Sequence, residues 1–388
     1  MLILLIGRWT ANAQSGNPTD ETEWHALCKQ GDDLRDQGDT EGEIQVRLKE
    51  LKVAETNFGE HPTTAYTLEK LALAYLRTGK NGEALPLIKR VMDIRSKNLE
   101  TIEKQLGPDD LSLVHPLWDL GWFWENLGKP QQAEPYWRRA LAIQEKKYAK
   151  DSPEISDTLN GLGLCLMTQE RYAEAADVFK RELIIREKFL RFRPNFLAPT
   201  LANVFDALND ADKDEEAVPY GTRSVEVYQA NPATAQSWPL ARIANNVGLC
   251  LSKLDRFEEA DKYLSLSLSL REKLKPDSSQ VAVVLVNLAE VRRKQRRFQE
   301  SEVLIRRAVA IDEAEYGQDD NEVADDLWQL MELCVAAGRY PEAIKTGERM
   351  LSIRRASYPP NHPKVAVVLE KIGMANLFWG DYDAAEKA

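Results

Sequence analysis

Apolar residues recur along the chain in a fixed phrase. Counting from a turn residue as zero, leucine stands eleven positions earlier at Leu27, Leu68, Leu117, Leu159, Leu201, Leu285, Leu327 and Leu369. Eight positions earlier lie Leu71, Leu120, Leu162, Val204, Val247, Leu288, Leu330 and Ile372. Seven positions earlier the residue is mostly small, as in Ala72, Gly121, Gly163, Gly248, Ala289 and Gly373. Offsets of −11, −8, −7 and −4 are the i, i+3, i+4, i+7 spacing of a helix with one buried face. Five positions past the turn residue come Ala84, Ala133, Ala175, Ala217, Ala260, Ser301, Ala343 and Ala385. That small residue opens a second amphipathic helix, turned toward the first. The pattern predicts helix–turn–helix units whose first helix ends at glycine or a polar residue.

The turn residues are Gly38, Gly79, Gly128, Glu170, Asp212, Asp255, Arg296, Gly338 and Gly380, at intervals of 41, 49, 42, 42, 43, 41, 42 and 42. About nine units therefore occupy residues 21–388, the last incomplete after Ala388, so the chain is expected to continue or to be a fragment. The 49-residue interval carries seven extra residues within Met92–Asp110, close to two helical turns. It predicts a lengthened second helix that protrudes from the array. His61-Pro62, Ser152-Pro153 and His362-Pro363 mark helix starts, with the residue before proline as the cap. In the first unit Glu43 replaces the expected alanine and Gln30 the expected leucine, which suits a capping unit whose outer face meets water.

The phrases Gly338-Arg339-Tyr340-Pro341-Glu342-Ala343 and Gly380-Asp381-Tyr382-Asp383-Ala384-Ala385 resemble the tetratricopeptide repeat (TPR). The 42-residue period and His362-Pro363-Lys364-Val365-Ala366 look like its longer, kinesin-light-chain-type subclass. The resemblance implies an all-α fold, a right-handed TPR-type α-solenoid of helix-turn-helix repeats. It also implies a concave side lined by the first helices, where such arrays hold peptides.

On that side the positions left free by the core are −13, −10, −9, −6 and −2. Position −9 holds Asn203, Asn246 and Asn287 in consecutive units. An amide offers two donors and an acceptor and can clasp an extended backbone, and the resemblance supports asparagine in this role. Arg242 at −13 and Lys253 and Lys294 at −2 edge these amides with positive charge, suited to an acidic segment. Glu290 and Glu332 at −6 oppose that preference. Trp118 and Trp122 stand i, i+4 on the third first helix. Two readings stand for them: interface anchors, or residues buried by the lengthened helix beside them.

Composition narrows the chemistry. The chain has 388 residues, a net charge of −11 and four histidines, which argues against a general nucleic-acid binder and a histidine-rich metal site. Four cysteines exclude a disulfide-dense scaffold, and all four are expected as small buried residues. No metalloprotease, nucleophile-elbow or phosphate-loop motif is present. No catalytic residue, metal or cofactor is assigned, and no membrane span is expected.

At the N-terminus a short apolar run, Met1–Gly7, precedes the triplet Ala11-Asn12-Ala13. The triplet resembles a processing site. Residues 1–13 are read as a short or clipped signal peptide and 14–20 as a linker, giving an exported protein; the alternative is a cytoplasmic one. Recovery of Met1 on the mature protein would overturn export. The expected function is a non-catalytic scaffold that binds peptide segments of partner proteins. Two rivals are the recruiting arm of an enzyme whose catalytic domain lies past residue 388, and a self-associating structural scaffold.

Overall fold

The computed structural model describes residues 18–189 and 194–387. The segment read as a signal peptide lies outside the described residues. Helices fall into two compact units, Met1–Ile185 and Arg186–Ala388. The first unit holds α1 (Pro18–Asp36), α2 (Thr40–Phe58), α3 (Pro62–Arg77), α4 (Asn81–Leu106), α5 (Val114–Asn126), α6 (Pro130–Lys147), α7 (Ser156–Thr168) and most of α8 (Tyr172–Phe189). The second holds α9 (Pro194–Asp210), α10 (Asp214–Ala230), α11 (Trp238–Lys253), α12 (Phe257–Leu274), α13 (Ser279–Lys294) and α14 (Phe298–Tyr316). It ends with α15 (Asn321–Ala336), α16 (Tyr340–Ser357), α17 (Pro363–Trp379) and the short α18 (Tyr382–Lys387). Among the described residues there is no strand. Odd-numbered helices are the first helices of the sequence pattern and even-numbered ones the second; together they form an all-α solenoid.

All nine turn residues have positive φ, from 56° at Asp212 to 89° at Gly380. The left-handed residue reverses the chain and lets the next N–H reach back over the helix end. Lys80 N–H donates to Tyr75 O at 2.9 Å, Arg171 N–H to Leu166 O at 3.0 Å and Arg339 N–H to Cys334 O at 2.8 Å. The same bond closes every unit. The alanine five residues past the turn is fully buried from Ala84 to Ala343.

Within a pair, the residue at −7 packs on the one at +9, and their sizes compensate. Gly121 receives Trp137, and a methyl on Gly121 would lie 2.7 Å from the indole. Where −7 is large, +9 is glycine: a methyl on Gly221 would lie 2.6 Å from the Phe205 ring, and Gly347 lies under Met331. Trp137 also fills the space above Gly161 on α7, so one side chain joins α5, α6 and α7.

A second column lies sixteen residues past each turn, where Arg95, Gln144, Arg186, Tyr228, Arg271, Asp312 and Arg354 all occur, each at most 6% exposed. Several tie their helix to a neighbour. Arg95 donates to Glu69 at 2.6 Å and to Asp119 O at 2.8 Å, and Arg271 donates to the Gln280 side chain at 2.6 Å. Gln144 donates to Glu154 O at 2.9 Å.

Four expectations change. Glu43 does not face water: it is 1% exposed, accepts from Arg77, and lies 3.8 Å from the fully buried Arg47. Arg47 in turn donates to Glu50 at 2.7 Å and Asp32 at 2.5 Å, so the first pair carries a buried ion cluster at its alanine position. Gln30 is exposed, as a capping surface requires. Seven extra residues do lengthen α4, but the extension does not stand free, because Leu99 and Ile102 pack with Leu113, Leu117 and Ile143. His61 and His362 cap their helices, each accepting a backbone N–H. Ser152 instead precedes a 3-10 turn, Pro153–Ile155, and its hydroxyl donates to Glu154 rather than capping. Cys165, Cys250 and Cys334 are buried, whereas Cys28 is half-buried and its thiol donates to Glu50 at 2.9 Å.

Candidate functional site

First helices of successive pairs approach one another: α5 meets α7 in the first unit, and α9, α11, α13 and α15 meet in series in the second. Among the described residues the second helices do not converge to this extent. Closer spacing on one side turns the outward face of the first helices into the inner face of each stack.

Burial across that face is graded. At −13, Pro199, Arg242 and Val283 are exposed, and at −2 so are Asp210, Lys253 and Lys294. Positions −9 and −6 are half-buried in the second unit from α9 to α15. Position −10 was expected on the open face, but Ala202 and Asn245 there are buried and Trp118 is half-buried. The reason is the neighbouring first helix, which covers that side.

The second unit brings Asn246 and Asn287 together through a residue the sequence reading did not single out. Asn287 Nδ2 donates to Asn245 Oδ1 at 3.0 Å, Asn245 Nδ2 donates to Asn246 Oδ1 at 3.3 Å, and Asn246 Nδ2 donates to Asp206 Oδ1 at 3.3 Å. The chain runs across α13, α11 and α9 and ends on a carboxylate. Each donor polarises the next toward Asp206. Asn203 lies half-buried on α9, with no side-chain hydrogen bond among the described residues.

Every edging cation has a carboxylate of its own. Arg242 donates to Asp206 Oδ2 at 2.7 Å. Lys294 lies 3.2 Å from Glu290 and 5.7 Å from the centre of the Phe257 ring. Lys253 is held most loosely, 3.8 Å from Asp214 with its side chain 54% exposed. Exposed pairs of this kind are worth about 0–1 kcal/mol, so a ligand carboxylate can compete for them. Asp206 and Asn245 sit at −6 and −10, and the signal that could have found them is a polar residue beside a −9 asparagine on the adjacent helix.

In the first unit the two tryptophans part company. Trp118 Nε1 donates to Thr158 Oγ1 of α7 at 2.9 Å, and its ring lies 6.5 Å from Trp137. It is therefore held between helix pairs, next to the Leu99 and Ile102 contacts of the lengthened α4. Trp122 stays 39% exposed and meets Trp137 edge-on at 5.2 Å. Beside them Trp137 Nε1 donates to Glu125 at 2.6 Å. Burial raises the Glu125 carboxyl to about 7, against the pull of that bond. Among the described residues no three histidine, cysteine or acidic groups converge as metal ligands, and no helix is long and apolar enough to cross a membrane.

The helix pairs, their left-handed turns and the small-against-large packing define a repeat protein of the helix–turn–helix class. The tetratricopeptide repeat family model matches residues 125–188, 239–314 and 324–388, and a second tetratricopeptide model matches residues 64–102. These matches cover more than half of the sequence, and the chain belongs to the tetratricopeptide repeat family. Similar solved structures include the apo form of RapI, with a TM-score of 0.57 at 13% identity over 94% of this chain and 99% of that one. The apo form of the quorum sensor NprR from B. thuringiensis has a TM-score of 0.51 at 14% identity, covering 95% and 96%. BtubC (BKLC) from P. vanneervenii is 21% identical, with a TM-score of 0.46 and coverage of 54% and 84%. At these identities the likeness concerns the fold. No curated protein is a significant sequence match to the chain.

Proposed function

We propose that this protein is a non-catalytic interaction scaffold that holds an extended segment of a partner protein across α9, α11 and α13. The observation that supports it is the amide chain Asn287–Asn245–Asn246–Asp206, with Asn203 beside it. Each asparagine has donors and an acceptor to offer. In the chain each Nδ2 group spends one of its two hydrogens, and the Asn287 side-chain carbonyl accepts no hydrogen bond among the described residues. First helices packed ~10 Å apart put one amide against every third residue of an extended peptide, which rises ~3.4 Å per residue. An acidic segment fits the rim best, because Lys253 is the cation least committed to the protein itself.

The test is a random peptide library selected on the full chain. Selected peptides should bind Asn203→Ala/Asn287→Ala about fivefold or more weakly, the scale of one lost hydrogen bond. Lys253→Ala should weaken acidic peptides and flatten the salt dependence of their binding. Equal affinity for the wild type and the double variant, with unchanged helicity, rejects this face as the site.

A further inference from the structure

The buried column sixteen residues past each turn contains four arginines, at Arg95, Arg186, Arg271 and Arg354. At the equivalent place on α14 stands Asp312. Opposite it, on α15, stands Asp326. Both are 6% exposed. The sequence thus replaces a buried cation by an acid and sets a second acid against it.

Neither carboxyl finds a cation. Asp312 Oδ1 and Asp326 Oδ2 have no hydrogen-bond partner among the described residues. The two carboxyls are hydrogen-bonding neighbours of each other across the α14–α15 contact. Two ionised carboxylates only accept hydrogen bonds, so a bond between them requires a proton on one. The surroundings hold that proton in place. Glu315 on α14 and Asp320, Glu322 and Asp325 at the start of α15 all add negative charge. From α16, the Arg354 guanidinium is spent on Asn321, at 2.7 Å, and on Asp325. On the α13 side, Val281, Ala282 and Leu285 pack with Ala308 and Ile311 and exclude water.

We propose that Asp312 and Asp326 share one proton and so act as a pH-sensitive latch between α14 and α15, closed while the proton is held and repelled open once it is lost. In the protonated pair a hydrogen bond joins two helix pairs. In the doubly ionised pair two buried negative charges face each other in an apolar setting, which is strongly unfavourable. Burial and the like charges nearby raise both carboxyls, the pair giving up its last proton as the pH climbs toward about 8. A carboxyl raised in the folded state contributes stability that is complete below the ordinary carboxylate range and is lost as the pH rises through the raised value. α15 also carries Gln329 and Glu332 on the open face, so opening the latch would disturb one end of that face.

The test compares thermal unfolding of the full-length wild type and Asp326→Asn between pH 5 and 9. An amide keeps the hydrogen bond and removes the charge. Near pH 5 the two midpoints should agree. By pH 9 the variant should unfold about 2 °C above the wild type, a tenfold proton-linked effect at this chain size. A difference that does not change with pH, or a variant that falls further behind as the pH rises, overturns the latch. Asp312→Asn provides the same comparison if the first variant does not fold. Hydrogen exchange in the wild type needs no variant: α14 and α15 amides should lose protection between pH 6 and 9 relative to α11 and α12, and uniform protection counts against the proposal.

Discussion

Glu170, Asp212, Asp255 and Arg296 hold the same left-handed turn that glycine holds in the other five units, with φ between 56° and 61°. A side chain there costs roughly 1–2 kcal/mol, which glycine escapes at some entropic cost in the unfolded chain. Arg296→Gly should therefore stabilise the protein by about 0.5–1 kcal/mol. Urea unfolding reads this directly, and a loss of stability would mean that Arg296 makes a contact that outweighs its strain. The turn positions were legible in the sequence because their spacing is regular, even where the residue type disguises them. Glu125 was not legible: its position marks a half-exposed helix end, and only Trp137 folding over it buries the carboxyl. With that carboxyl raised to about 7, its contribution to stability is lost as the pH rises through 7. Glu125→Gln keeps an acceptor for Trp137 and should reduce the fall in melting temperature between pH 5 and 8. An unchanged fall would show that Glu125 does not set the pH dependence in that range.

Helix pairs pack by complementary size rather than by a small residue on one helix. Read on the first helices alone, Phe205 and Met331 break the pattern of small residues at −7. Paired with Gly221 and Gly347 they obey it. A single-helix periodicity cannot reveal this, since the compensating residue lies sixteen positions later on a second helix. Gly221→Ala should cost about 1–3 kcal/mol, because the added methyl meets Phe205 and the well-packed core must shift. Phe205→Gly with Gly221→Phe inverts the pair to the arrangement seen at Gly163 and Phe179. It should lose less stability than Phe205→Gly alone, by comparison of urea midpoints. Additive losses would refute the pairing rule. Glu43 and Arg47 show the converse limit of sequence reading. Charged residues at a terminal repeat suggest a wet surface, yet Gly31 leaves room for the Arg47 guanidinium and the ions neutralise one another inside.

At the scale of the whole molecule, the repeat fold was legible because the same physical demands recur nine times. The candidate face was legible in part. Asn203, Asn246 and Asn287 could be placed on one face from spacing alone, but Asn245 and Asp206, which complete the hydrogen-bonded chain, could not. Spacing accounts for the i, i+4 pairing of Lys294 with Glu290 on one helix, but not for the pairing of Arg242 with Asp206, because an ion pair between neighbouring repeats depends on where long side chains reach. The division between Trp118 and Trp122 has the same origin: Thr158 on the next repeat claims one indole and leaves the other open. What remains distinctive is a neutral, internally bonded strip of amides in a chain of net charge −11. The most direct measurement is amide hydrogen exchange of the full chain with and without a peptide selected on it. The interaction-scaffold account predicts slowed exchange concentrated in α9, α11 and α13, with little change in the second helices of the same pairs. Slowing confined to the second helices, or to the repeats at either end, would contradict it.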